Sequence, residues 1–338
     1  MGAIRAIAMG ESLTGDQASE AFDAIMAGEA TAAQVSALLM GLRVKGETTH
    51  EVTGAARAMR RAMVTLSADE PQSLVDTCGT GGGAVTTFNI STAAALLAAG
   101  LGVRVAKHGN RSFTSQCGSA DVLEALGIPL DVTPVRMARV LREAGIVFMF
   151  APTMHPAMRH VGPVRRELAI PTVMNIVGPL ANPASAGRQV LGVADRSRLS
   201  LLAGALASLG SVHALVVHGE PGLDEISPLG PTHVLEVRNG VVEAWTIDPG
   251  AYGITGVRPQ DLAGGPPERN AEIIEELLGG RGNEGAQAAV VLNAAAALYV
   301  GGVTATFAEG VSRSREALDA GAGMVALTRL RVAHAATA

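Results

Sequence analysis

Between residues 73 and 126 the sequence alternates, without an internal repeat, between short apolar runs, polar stretches with glycines and helix-forming segments. Residues 73–77 (SLVDT) read as a strand running into Cys78-Gly79-Thr80-Gly81-Gly82-Gly83, followed by Thr86, Thr87, Asn89, Ser91 and Thr92 and by a helix over 93–99. Residues 103–106 read as a second strand. It leads into a loop, Lys107-His108-Gly109-Asn110-Arg111-Ser112, and a further helix opens over 121–126. Strand, loop, helix, strand in this order predicts a parallel α/β sheet. Loops that follow neighbouring parallel strands share the carboxyl edge of the sheet, where such folds bind ligands.

The first seventy residues are different and read as helices. Thr31 with Gln34 and Thr48 with Glu51 have capping-box spacing. Val35, Leu38, Leu39, Leu42 and Val44 give an apolar stripe, Gly46 is placed to end that helix, and Val52, Ala55, Ala56, Met59 and Met63 line the next. Residues 152–188 are rich in Pro, His and Arg and predict loops and short helices that return to this helical piece. Strand character resumes over 189–193 and 214–218, and 232–247 predict an antiparallel pair around Asn239-Gly240. Residues 270–278 and 286–299 read as helices, and a short strand plus an Ala-rich helix is expected to finish the chain.

The expected fold class is α/β: a small all-helical domain plus a larger α/β domain with a mainly parallel central sheet. The helical domain covers 1–70, joined by helices from about 160–188; the α/β domain covers 71–159 and 189–338.

Composition narrows the function. With 26 Lys and Arg against 31 Asp and Glu the net charge is −5, which argues against a nucleic-acid partner. No run approaches the roughly 18 apolar residues of a membrane span. Residues 93–105 come nearest and carry Gly100 and Gly102, and the first residues lack a signal-peptide core. Cys78 and Cys117 have no partners at zinc spacing, so they read as reduced thiols in a cytoplasmic protein. The 41 glycines in 338 residues, about one in eight, exceed the usual share of roughly 7%. Glycines let backbone turn tightly and approach phosphate oxygens.

Four groups carry chemistry. The glycine run after a strand, with hydroxyls behind it, offers backbone N–H groups and a helix dipole to an anion. It is neither a P-loop nor a GxGxxG fingerprint, and an unliganded turn is the alternative. Lys107 and Arg111 supply charge and Asn110 and Ser112 supply donors, which suits several phosphates; alone they also fit a solvated turn. Asp224-Glu225, with Gly219 and Gly222 nearby, has the oxygen donors that Mg²⁺ takes beside a diphosphate, although such pairs are common on surfaces. Arg165, in the cluster from His155 to Arg166, offers the fork that a planar carboxylate accepts, against the plainer reading of a solvated helix face.

Taken in order, CGTGG with TTFNIST, KHGNRS with CGSADVLEALGI, HPAMRHVGPVRRELAIPTVMNIVGPLANP, VVHG with GLDEIS and LNAAAALYV closely resemble the anthranilate phosphoribosyltransferases. The N-terminal LTGDQASEAFDAIMAGEATAAQVSALLMGLRVKGET also resembles that family's helical segment, so matching motifs run from about residue 11 to about residue 300. The resemblance implies transfer of the phosphoribosyl group of 5-phosphoribosyl diphosphate (PRPP) to the amine of anthranilate, releasing diphosphate, with Mg²⁺ and two ions per site. It implies a pyrimidine nucleoside phosphorylase-like fold with the active site in the cleft, and a homodimer through the helical domain. It leaves room for an anthranilate synthase amidotransferase partner. Carried over residue by residue, it assigns PRPP to Gly79, Gly82, Gly83, Thr87, Asn89, Ile90, Ser91, Thr92, Lys107, His108, Gly109, Asn110, Arg111, Ser112, Ser115 and Ser119. Anthranilate falls to Gly79, Asn110, Arg165, His108 and His155, with Arg165 near its carboxylate; the metal falls to Ser91, Asp224 and Glu225. No side chain stands out as a general base, and Asn110 and Arg165 are expected to act by positioning.

The sequence departs from the commonest family pattern at Gly83, where an acidic residue is usual, at Met154, where His is usual, and at Thr114, where Ser is usual. The rival readings are a pyrimidine nucleoside phosphorylase-like enzyme, which KHGNRS disfavours, and a non-catalytic nucleic-acid-binding relative. Against the latter stand the intact Asp224-Glu225 pair and the acidic net charge.

Overall fold

A computed structural model describes residues 2–112 and 116–336. Four helices open the chain: α1 (Gly2–Ala8), α2 (Gly15–Met26), α3 (Ala32–Lys45) and α4 (Thr49–Ala62). Both expected capping boxes form, at Thr31/Gln34 and Thr48/Glu51, and a third forms at Thr14/Gln17. Gly46 ends α3 at a φ of 87°. Val35, Leu38, Leu39 and Leu42 are buried as expected, but Val44 is 80% exposed. Two residues past Leu42 is roughly 200° round the helix, so Val44 cannot share that face.

Seven strands form one sheet: β1 (Val75–Gly79), β2 (Val105–Gly109), β3 (Ile146–Phe150), β4 (Arg188–Gly192), β5 (His213–Gly219), β6 (Thr232–Arg238) and β7 (Val241–Ile247). Their order is β3-β2-β1-β4-β5-β6-β7, with β1 to β5 parallel and β6 and β7 antiparallel. The hairpin turns at Asn239 (φ 50°) and Gly240 (φ 83°), as its Asn-Gly pair requires.

Both faces of the sheet are covered, which is why the inner strands read as continuous apolar runs. Val75, Val105, Val190, Leu215 and Val217 face a core built with the helices Ile90–Gly100, Pro267–Leu278, Glu284–Gly301, Phe307–Asp319 and Ala322–Ala335. Leu191, Ala214 and Val216 face a second core with α2, α3 and α4, the helix Leu199–Ser208, and Val161, Val164, Met174, Val177 and Leu180 from the Pro/His/Arg-rich segment.

Two further expectations are corrected. The first two strands lie later than expected, because 71–73 form a helical turn and the polar residues at the strand ends find buried partners; Lys107, His108 and Gly109 therefore belong to β2 and not to a loop. Among the described residues no strand follows β7; helices Phe307–Asp319 and Ala322–Ala335 close the chain.

Candidate active site

The chain connects β1 to β2 on one side and later enters β4 on the other, so the strand order reverses between β1 and β4. A crevice at the carboxyl ends of such strands is where open α/β sheets bind ligands. Gly79 and Gly192 are register partners at those two ends, and Asp224 lies against both. A Cβ on Gly79 would stand 2.4 Å from Asp224 Oδ2, and one on Gly192 would stand 1.7 Å from the Asp224 carbonyl oxygen. No side chain fits at Gly192 without moving Asp224.

The glycine loop then meets this carboxylate. Gly81 and Gly82 are left-handed, with φ of 71° and 80°, and Gly81 N donates to Asp224 Oδ2 at 2.8 Å. The loop does not itself open the helix: residues 80–89 intervene, and helix Ile90–Gly100 begins behind Asn89. There Ser91 N donates to Glu225 Oε1 at 3.1 Å, so a helix N-terminus faces the second carboxylate.

Lys107 is buried, 3% exposed, beneath the same point. Its ammonium donates to the Thr77 carbonyl, to Thr77 Oγ1 at 3.4 Å and to Ser91 Oγ at 3.2 Å. Burial pulls it below the usual lysine range, while Asp76 and Glu225 oppose that shift. Burial and then Asp224 push the Glu225 carboxyl up to about 8, against the pull of Lys107 and Ser91. Burial also raises Asp224, with Gly81 N opposing.

A second buried polar layer lies on the other face of β1 and β2. Asp76 is 1% exposed and accepts from Asn182 Nδ2 at 2.8 Å and from His108 N at 3.1 Å. Burial lifts Asp76 to about 6, with Asn182 opposing most. His108 and His155 pack ring to ring, centroids 4.9 Å apart. Both are buried, and His108 Nε2 and both nitrogens of His155 have no partner in hydrogen-bond geometry among the described residues. Burial lowers His108 to about 3, helped by His155 and Lys107, and lowers His155 to about 4 against the pull of the Ala181 backbone. Arg165, on helix Gly162–Leu168, is half-buried, and burial lowers its guanidinium. Its backbone N–H bonds Val161 O, and its guanidinium meets no hydrogen-bonding or acidic partner among the described residues.

The remaining expected residues separate into those that face the loop and those already engaged. Gly83 is half-buried: its missing Cβ would stand 3.2 Å from Asp224 Oδ1. Thr87 is half-buried in the loop, and Asn89 Nδ2 donates to Cys117 O at 3.2 Å. Ile90 is fully buried with its N–H on Phe88 O, and Thr92 is buried with its N–H on Asn89 O. Neither presents a free backbone donor to a ligand. Gly109 lets Ser119 Oγ approach, 2.2 Å from where its Cβ would be. Asn110 Oδ1 accepts from Arg111 N at 2.8 Å, and Ser119 Oγ donates to Asn110 O at 3.3 Å. Arg111 pairs with Asp121 at 2.7 Å and Glu124 at 2.9 Å, and Asp121 also accepts from Ser112 N and Gly118 N. Ser115 and Thr114 lie outside the described residues. Met154 is fully buried, so an apolar side chain suits that departure from the family pattern.

Oxygen donors of Asp224, Glu225 and Ser91 suit a hard cation. Among the described residues no cluster of three or more His, Cys, Asp or Glu could hold a metal. An ion at this pair would be completed by ligand oxygens and water, which Mg²⁺ accepts. The expectations missed Asp76, Asn182 and Gly192. A carboxylate inside the apolar run SLVDT and a glycine closing QVLG were the available signals.

Comparison with known proteins agrees with this geometry. Residues 71–324 match the family model for the glycosyl transferase family a/b domain, and residues 1–63 match its helical bundle domain. Anthranilate phosphoribosyltransferase of Rubrobacter xylanophilus is 49% identical over 327 residues, 97% of this chain and 95% of that protein. The crystal structure of anthranilate phosphoribosyltransferase from Thermus thermophilus matches with a TM-score of 0.93 at 43% identity, covering 99% of this chain and 100% of that one. The Saccharomyces cerevisiae enzyme in complex with PRPP and Mg matches with a TM-score of 0.90 at 26% identity, over 99% of this chain and 97% of that one. With its glycine loop, its carboxylate pair and this likeness over nearly its whole length, the chain belongs to the anthranilate phosphoribosyltransferase family, and phosphoribosyl transfer to anthranilate is its chemistry.

Proposed function

We propose that the β1/β4 crevice holds PRPP with Mg²⁺, and that the layer containing His108, His155 and Arg165 receives anthranilate. The observation that carries this is the convergence of Gly81 N, Ser91 N and the buried Lys107 ammonium on Asp224, Glu225 and Ser91. Gly79 to Gly83, with Thr87 and Asn89, line the diphosphate, and the polar run Asn110 to Ser112 with Ser119 takes the remaining phosphate. Lys107 acts there by holding Ser91 and balancing Glu225 rather than by reaching out. Asp224, Glu225 and Ser91 hold the metal, with a count of two ions as part of the proposal. Magnesium, when bound, neutralises charge on the departing diphosphate.

Loss of diphosphate leaves an oxocarbenium-like ribose, so the acceptor amine must already lie close to C1. Arg165, with an unengaged guanidinium, is suited to the anthranilate carboxylate. His108 and His155 are neutral at ordinary pH and weak as bases. Their ring nitrogens orient the amine by hydrogen bonding; an arylamine is nucleophilic enough without a stronger base. Asn110 completes that end. An active site between the two packed cores is part of this proposal.

Further parts of the reading are a homodimer through the helical piece, where Met9 and Val44 are 75% and 80% exposed, and an anthranilate synthase amidotransferase partner. A cytoplasmic setting is supported by two cysteines that form no disulfide. No helix among the described residues is long and apolar enough to cross a membrane.

Steady-state kinetics of two variants test the division. Arg165→Ala is expected to raise the KM for anthranilate about tenfold or more, a lost charged contact, while the KM for PRPP holds. Glu225→Gln is expected to do the reverse. Arg165→Ala with both constants unchanged would remove the carboxylate role.

A further inference from the structure

Helix Glu284–Gly301 is apolar along nearly its whole buried side, yet it carries Asn293, 3% exposed. An amide in such a place is costly unless its hydrogen bonds are made. Asn293 makes three: Oδ1 accepts from Ile226 N at 2.9 Å, and Nδ2 donates to Ile226 O and to Ala289 O, each at 2.9 Å. The contact with Ile226 is reciprocal, both backbone groups of one residue held by one side chain, as a neighbouring strand would hold them.

Ile226 directly follows Asp224-Glu225. This segment lies outside every strand. On its N-terminal side, Gly219 and Leu223 form a single bridge. On its C-terminal side, Asn293 holds Ile226. The Glu225 carboxylate is held separately, by Ser91 N of helix Ile90–Gly100. Glu225 is thus fixed at its carboxylate end by one helix and, through the next residue, at its backbone end by another.

We propose that Asn293 is a positioning residue for the Asp224-Glu225 pair, setting the separation and aim of the two carboxylates toward the cation and the diphosphate it accompanies. An apolar residue would fill the same volume without the desolvation cost, and among the described residues the amide hydrogen-bonds nothing outside its own helix except Ile226. This inference rests on the reading of Asp224 and Glu225 as metal ligands. Partners that orient ligating groups commonly affect metal affinity by about 10–100-fold.

The test is binding of Mn²⁺, as a paramagnetic stand-in for Mg²⁺, followed by electron paramagnetic resonance with PRPP present. It is paired with the Mg²⁺ concentration for half-maximal rate and with melting curves. Asn293→Ala is expected to weaken Mn²⁺ binding and raise half-saturating Mg²⁺ about tenfold, with the KM for anthranilate unmoved. Leu298→Ala, a cavity on the same helix, is expected to lower the melting temperature and leave Mn²⁺ affinity unchanged. If Asn293→Ala does not fold, Asn293→Asp keeps the shape and the bond from Ile226 N, loses the bond to Ile226 O when ionised, and is read the same way. A folded Asn293 variant with wild-type Mn²⁺ affinity overturns the proposal. Glu225→Gln is measured beside it: lost binding there with retained binding in the Asn293 variants sinks this inference alone, whereas retained binding in Glu225→Gln sinks the carboxylate reading as well.

Discussion

Gly83 stands where the family commonly carries an acid, and Gly83→Asp measures what that absence does. A Cβ on Gly83 would stand 3.1 Å from Gly222 O and 3.2 Å from Asp224 Oδ1, so the new side chain fits only if its neighbours yield by a few tenths of an ångström. Its carboxylate would lie near that of Asp224. Two like charges about 4 Å apart repel by about 4 kcal/mol at an effective dielectric of about 20. The loop is partly exposed, and solvent screening reduces the penalty to about 1–2 kcal/mol. Without a dication, Gly83→Asp should therefore melt a few degrees lower than the wild type. With Mg²⁺ the same charge becomes attractive, and recovering about 1.4 kcal/mol lowers half-saturating Mg²⁺ about tenfold. The assay is the rate of anthranilate fluorescence loss at fixed PRPP across a Mg²⁺ titration, with Gly83→Asn as the uncharged control of equal size. Superimposable titrations for wild type and Gly83→Asp, or an equal shift in Gly83→Asn, would refute the electrostatic argument.

Two further outcomes follow from the geometry. Burial lowers His108 to about 3 and His155 to about 4. The folded chain thus binds no proton there near neutrality, while the unfolded chain does below about 6.5. The neutral rings cost nothing above that value; below it a penalty grows until about pH 4 for His155 and about pH 3 for His108, reaching about 2 kcal/mol per ring at pH 5. Melting temperature against pH should fall more steeply for wild type than for His155→Asn between pH 6.5 and 5, and parallel curves would contradict the assignment. Gly192→Ala places a methyl 1.7 Å from Asp224 O. It should cost about 3 kcal/mol or more and abolish Mg²⁺-dependent turnover, whereas an active Gly192→Ala of wild-type melting temperature would mean that Asp224 is free to move.

Local rules carried much of this molecule. The capping boxes at Thr31 and Thr48, the Asn239-Gly240 hairpin and the strand–loop–helix alternation each rest on short-range chemistry, and each was readable in one dimension. Lys107 was readable as a charge but not as a buried one: KHGNRS has the composition of a surface loop, and only the placement of Thr77 and Ser91 beneath it lets β2 run on through it. Asp76 showed only as a carboxylate inside an apolar run, and Asn182, Ile226 and Asn293 not at all, because the partners in these two contacts lie 106 and 67 residues apart in sequence. The carboxylate pair was visible as two letters; what gives it meaning is the glycine pair Gly79 and Gly192, which the parallel register brings side by side.

Transfer within one crevice would require PRPP, a magnesium ion and anthranilate to be present together. Anthranilate fluorescence tests it most directly. The signal should fall only when protein, PRPP and Mg²⁺ are all present, with diphosphate released in equal amount, and Glu225→Gln should slow the fall at sub-saturating Mg²⁺. Stable fluorescence with all components present, or a fall that proceeds without PRPP, would contradict it.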